Sequence, residues 1–137
     1  MHRCRTDHLL VIGARCTIAR RVTEADLATS LYPDFLKPPV LATARLVEWC
    51  ERAAMEVIDG CSLGTKMHMS HFAPSVLGGL VTITAVCTGM SGSYSEWQVA
   101  ARDEHEMIAQ GTLGFVVVDL ERYFSRRLAP KRLARVE

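Results

Sequence analysis

No apolar run in this chain is long enough to cross a membrane. The N-terminal MHRCRTDHLLVIGARC offers only LLVIGA before Arg15 interrupts it, and Arg20 and Arg21 follow, so neither a secretory leader nor a span is expected. There is no C-x-x-C pair. Cys4, Cys16, Cys50, Cys61 and Cys87 are odd in number and scattered, which suits reduced thiols in a cytoplasm better than a disulfide framework. An excess of one charge is also missing: 16 Lys and Arg against 15 Asp and Glu leave +1, too little to track a nucleic-acid backbone. Repeats, low-complexity stretches and linkers are absent, so the 137 residues read as one domain, 1–137, long enough to bury a core.

What is present is patterned. Residues 9 to 22 are rich in β-branched side chains and read as a strand. TEADLATSLYP follows, with Thr23 and Asp26 spaced as a helix-starting pair and Pro33 as its end. DFLKPP is a loop, because its two prolines deny helix to what precedes them. One long helix is predicted from Val40 to Ile58, closed by Asp59-Gly60. Four strands then follow: 63–72, 80–88, 94–101 and 107–118, with GMSGS and RDEHE as hairpin turns. LERYFSRRLA reads as a terminal helix running into a basic tail from about 129 to 137. A lone long helix needs an apolar surface to cover its stripe, and a meander of antiparallel strands supplies one. The fold class is therefore α+β, an antiparallel sheet wrapped around one long central helix. The edge strands of such a sheet can be satisfied by pairing sheets edge to edge in a dimer.

On a helical wheel with Thr43 at zero, Leu46, Val47, Cys50, Ala54, Val57 and Ile58 fall within about 60° of it. Arg45, Glu48, Arg52, Glu56 and Asp59 gather on the opposite face, where Arg52 is spaced to pair with Glu48 and Glu56. Glu51 lies about 80° from Thr43, at the stripe's margin, where a carboxylate either snorkels outward or faces a pocket that raises its pKa. In the strand SLGTKMHMSH, alternation puts His71 on the face of Met67 and Met69, and His68 on the other. The two imidazoles thus do not share a metal ion, and no metal site is expected. His71 is either a core histidine held by a backbone carbonyl or a working base. Thr43, Glu51 and His71 together supply the hydroxyl, carboxylate and imidazole of acyl-transfer chemistry. Gly60, Gly64, Gly78 and Gly79 flank the histidine strand and serve either as turns or as sites of close backbone approach to an oxyanion.

LATARLVEWCERAAM followed by CSLGTKMHMSHFAPSVLGGLVTITA resembles the hot-dog-fold thioesterases of the fluoroacetyl-CoA thioesterase type. The resemblance covers about 9 to 123. It implies a hot-dog fold, an acyl-CoA thioester substrate of small or medium size, and a homodimer with active sites at the subunit interface. It further implies Thr43, Glu51 and His71 as catalytic residues, with Gly64 lying against the substrate. No metal or redox cofactor is implied, CoA entering only as part of the substrate. Met67 and Met69 are expected to line the acyl pocket. Two departures stand out. The last strand of such proteins often carries G-T-H-x-R, whereas here it reads GTLGF, with Leu113 and Phe115 at the His and Arg positions. Their aromatic lid is replaced by KPP, with Phe35 out of register, so fluoroacetyl selectivity is not expected. The lost Arg leaves two alternatives open, a thioester carried on acyl carrier protein, or a non-catalytic dimer binding an acyl or aromatic small molecule. Arg126, Arg127, Lys131, Arg132 and Arg135 could meet CoA phosphates in its place, or form a solvated tail.

Overall fold

The structure, a computed structural model, describes residues 10–133. It contains one five-stranded antiparallel sheet in the order β1-β3-β4-β5-β2, with a 13-residue helix packed on one face. The strands are β1 (Arg15–Arg21), β2 (Cys61–His71), β3 (Leu80–Ser91), β4 (Tyr94–Arg102) and β5 (Met107–Val118). The helix α2 (Thr43–Met55) follows a 3-10 turn (Glu24–Asp26) and the short α1 (Ala28–Leu31). Beyond β5 the chain winds through α3 (Leu120–Tyr123), a π turn (Phe124–Leu128) and α4 (Ala129–Leu133). The basic segment expected to trail from 129 is therefore helical through Leu133; the rest of it, including Arg135, lies outside the described residues. Among the described residues no helix is long and apolar enough to cross a membrane.

Alternation builds the core. Val81, Ile83, Ala85 and Cys87 of β3 meet Trp97, Val99 and Ala101 of β4 and Ile108, Leu113 and Phe115 of β5, all buried. The Trp97 indole N–H donates to Ser95 Oγ at 2.9 Å, which satisfies both buried polar groups. From α2 the buried residues are Leu46, Trp49, Cys50, Ala53 and Ala54. This stripe is rotated from the one centred on Thr43, because Trp49 and Ala53 turn inward and Thr43 is left exposed. On the outer face Arg52 pairs with Glu48 at 3.1 Å as expected, and Glu48 takes Arg45, at 2.6 Å, as its second partner.

Boundaries moved where backbone partners compete. Val40 and Leu41 form bridges to Val76 and Leu27, so α2 begins at Thr43 and not at Val40. The first strand starts at Arg15, since Gly13 has φ +95 and turns the chain there. The hairpin between β3 and β4 is a tight turn at Gly92, φ +61, so β3 runs through most of GMSGS to Ser91. Cysteine use also differs from expectation: Cys50, Cys61 and Cys87 are free thiols, but Cys16 is disulfide-bonded.

Leu46 is fully buried at the helix–sheet contact. Leu46→Ala is expected to cost about 2–5 kcal/mol of stability, read from urea unfolding, while Met55→Ala on the exposed face changes the midpoint little.

Candidate active site

Thr43 is the first residue of α2, and its position is set by the segment before it. Ala28 N–H donates to the Val40 carbonyl, Leu41 N–H to Ser75 and Ala42 N–H to Asp26, at 2.8, 2.8 and 2.9 Å. Asp26 is itself buried, accepting from the Thr23 N–H and hydroxyl at 2.8 Å each and pairing with Arg45 Nε at 3.0 Å. The turn before α1 is thereby tied to the first turn of α2. His71 closes β2, opposite Ala109, and the chain beyond it is fixed by the Phe72 N–H donating to Ile108 at 2.9 Å. Helix start and strand end meet there, with Thr43 Oγ1 2.8 Å from His71 Nδ1.

The imidazole is half-buried, and burial holds its pKa below the ordinary 6.5, so it is neutral near pH 7 and able to accept a proton. Its other nitrogen, Nε2, is buried and makes no well-aligned hydrogen bond, although the Ala73 backbone comes close enough to the ring to offset part of the burial effect. Leaving a buried polar atom unpaired costs about 1–3 kcal/mol, and chemistry at a site is one reason a fold retains such an atom. Around the pair is a cleft of about 440 Å³ walled by Tyr32, Lys37, Val40, Phe72 and Pro74. Lys37 sits over the Tyr32 ring, 5.3 Å from its centroid. These walls come from loops and from the ends of expected elements, so no periodic pattern brought them together. Met67 and Met69 are not among them: Met67 is 61 % exposed on the sheet edge, and Met69 packs partly against the core.

Glu51 is elsewhere. Two turns further along α2, about 12 Å along the helix axis, it lies against Gly64 near the start of β2. A Cβ on Gly64 would stand 2.9 Å from Glu51 Oε2 and 3.8 Å from the Phe115 ring, so any larger residue would push the carboxylate from its present place. A bulge at Thr65 shifts the register of β2 against β5, which puts Gly64, paired with Phe115, on the same face as Met67, Met69 and His71. Burial raises the Glu51 pKa, and the nearby Glu48 raises it further. Phe115, where the resemblance led to an expected Arg, is fully buried and brings no charge. Cys50 is no nucleophile, because burial and then the charge of Glu51 push its thiol up to about 12. Within one subunit, then, the structure joins Thr43 with His71, joins Glu51 with Gly64, and keeps the two pairs apart. Among the described residues no group of three or more His, Cys, Asp or Glu could hold a metal ion.

An antiparallel five-stranded sheet with one long helix on its face is the hot-dog architecture, the fold of a class of thioesterases. The sequence profile of the fluoroacetyl-CoA-specific thioesterases matches residues 22–121, and the chain belongs to that family of thioester hydrolases. The fluoroacetyl-CoA thioesterase of Streptantibioticus cattleyicolor is 36 % identical over 99 residues, 66 % of this chain and 70 % of that protein. A solved structure of the fluoroacetyl-CoA thioesterase FlK superposes with a TM-score of 0.78 at 28 % identity, covering 93 % of this chain and 98 % of the other. A variant of that enzyme solved with fluoroacetate and CoA is 31 % identical with a TM-score of 0.76, covering 83 % of this chain and 99 % of the other.

Burial alone lowers the His71 pKa within one chain, so in a Glu51→Gln variant its NMR titration is expected to have a midpoint below 6.5. The unfolded chain binds that proton first, so the contribution of His71 to stability rises with pH up to about 6.5 and is lost as pH falls through the folded pKa. A midpoint above 6.5 would show that a charged partner, not burial, governs the ring.

Proposed function

We propose that the protein is a cytoplasmic acyl-CoA thioesterase working as a homodimer, each site formed by Thr43 and His71 of one subunit and Glu51 and Gly64 of the other. The 2.8 Å contact between Thr43 Oγ1 and His71 Nδ1, on a chain of this family, carries the reading. The relative that binds fluoroacetate and CoA supports a CoA thioester as substrate.

The chemistry follows from the pair. The Thr43 hydroxyl attacks the thioester carbonyl as its proton passes to Nδ1 of neutral His71. The oxyanion is met by N–H groups in the first turn of α2, where the N-cap Ala42 has no capping side chain. Collapse breaks the C–S bond, and the departing sulfur takes the proton from His71, leaving a free thiol and a neutral imidazole. Water then cleaves the acyl-threonine by the same base, releasing the acid and restoring both groups.

Glu51 joins through symmetry. β2 is an edge strand, exposed over Gly64–His68, and its ladder is free on the side away from β5. Antiparallel pairing of two such edges about His68 sets Met67 opposite the partner subunit's Met69. Counting past the bulge at Thr65, it sets Gly64 opposite the partner subunit's His71. The carboxylate against Gly64 would then face the imidazole and stabilise its protonated form.

In a free-thiol assay on a panel of acyl-CoA esters, His71→Ala is expected to lower kcat about a hundredfold or more. His71→Ala and Glu51→Gln, each impaired alone, should complement when mixed. Mixed dimers would hold one intact site in two, restoring about a quarter of the wild-type rate. Failure to complement in verified heterodimers would place Glu51 in the same subunit's site.

A further inference from the structure

The chain's cations are unevenly spent. Arg45 and Arg52 are paired with acids, Lys66 with Glu96 at 3.1 Å, and Lys37 sits over Tyr32. Arg20 and Arg21 donate to backbone carbonyls of Ala19 and Gly78. Five of the 16 Lys and Arg residues, however, fall within 119–132, against two acids, Asp119 and Glu121. Among the described residues none of Arg122, Arg126 and Arg127 has an ion-pair partner. Of the two nearby carboxylates, Asp119 caps α3, accepting the Arg122 N–H at 2.9 Å, and Glu121 lies on an adjoining surface with Arg122 and Arg126 without an ion pair to either. These three arginines, with Val118, Asp119 and Tyr123, bound a cleft of about 270 Å³ between the end of β5 and the helix.

The cleft lies near the proposed site by register. Phe115 pairs with Gly64, and Val118 pairs with Cys61. Three strand residues separate them, about 10 Å along the sheet. An extended pantetheine arm reaches further than that, so a thioester held against Gly64 would bring its phosphates to these guanidiniums. Three guanidiniums around one cleft suit phosphate oxygens, which they can grip in a bidentate fashion. The inward positions of β5 cannot do this, Leu113 and Phe115 being buried and apolar.

We propose that Arg122, Arg126 and Arg127 form the phosphate cradle for the nucleotide end of CoA. This rests on the acyl-CoA reading above and names the part of the substrate that reading left unplaced. The phosphates could belong to free CoA or to a pantetheine arm on a carrier protein; the cradle is assigned to the nucleotide phosphates of free CoA.

The test is the triple variant Arg122→Gln/Arg126→Gln/Arg127→Gln beside the control Arg102→Gln, whose cation stands at the far end of the sheet. Each is measured with acetyl-CoA and with the acetyl thioester of N-acetylcysteamine, which has no phosphate. The triple variant is expected to raise KM for acetyl-CoA about tenfold or more and to erase most of the preference for it over the truncated ester. Calorimetry of CoA itself should show the same loss of affinity, with adenosine 3′,5′-bisphosphate displacing CoA from the wild type. A wild type that hydrolyses neither ester yet binds CoA through these arginines would sink the hydrolase reading and leave the cradle standing. Affinity and KM unchanged from the Arg102→Gln control would overturn the cradle. Failure of the bisphosphate to compete would overturn its assignment to the nucleotide end.

Discussion

The rigidity of α2 constrains everything else. An unbroken helix from Thr43 to Met55 fixes its first residue and Glu51 about 12 Å apart, and no side-chain rotation closes that distance. The helix also fixes which strand end each residue meets. Thr43 reaches His71 at the end of β2, and Glu51 reaches Gly64 near its beginning. The chain therefore holds two separate pairs, one of hydroxyl and imidazole, the other of a carboxylate and a bare backbone. In the proposed dimer, a two-fold axis across the β2 edge would bring the two pairs together across the interface, and the same contact would satisfy the edge strand's open ladder.

The electrostatics of the halves are complementary. Burial keeps His71 neutral, and burial together with Glu48 makes the Glu51 carboxylate harder to ionise than an exposed one. Each group is poorly solvated alone and gains from facing the other. Phe115 sharpens this. With a fully buried ring, and no cation, beside Gly64, the charge for the substrate's phosphates has to come from elsewhere in the chain. The free arginines after β5 lie within reach.

Much of this was legible in the sequence because it is periodic. Alternation in the four later strands and the 3.6-residue stripe of α2 gave the α+β architecture, and phase alone separated His71 from His68. What escaped was non-local. The start of α2 depends on Val40 and Leu41 finding bridge partners in Val76 and Leu27, which no helical pattern records. The bulge at Thr65, which turns Gly64 to the side of His71, breaks the very alternation used to assign faces. The cleft walls Tyr32, Lys37 and Phe72 come from loops and a strand end, whose positions are set by tertiary contacts. The distance of about 12 Å between Thr43 and Glu51 follows from their spacing in an unbroken helix, but which part of β2 each one meets needed the strand register.

Pairing about His68 is the most direct point of attack. His68 is exposed, on the face away from the site, and in the symmetric pairing it lies opposite its own copy. A His68→Cys variant, oxidised mildly and compared with wild type treated in the same way, should form a covalent dimer across the two-fold axis and keep its thioesterase activity. A variant that stays monomeric on a non-reducing gel, or cross-links only with loss of activity, would contradict the shared site.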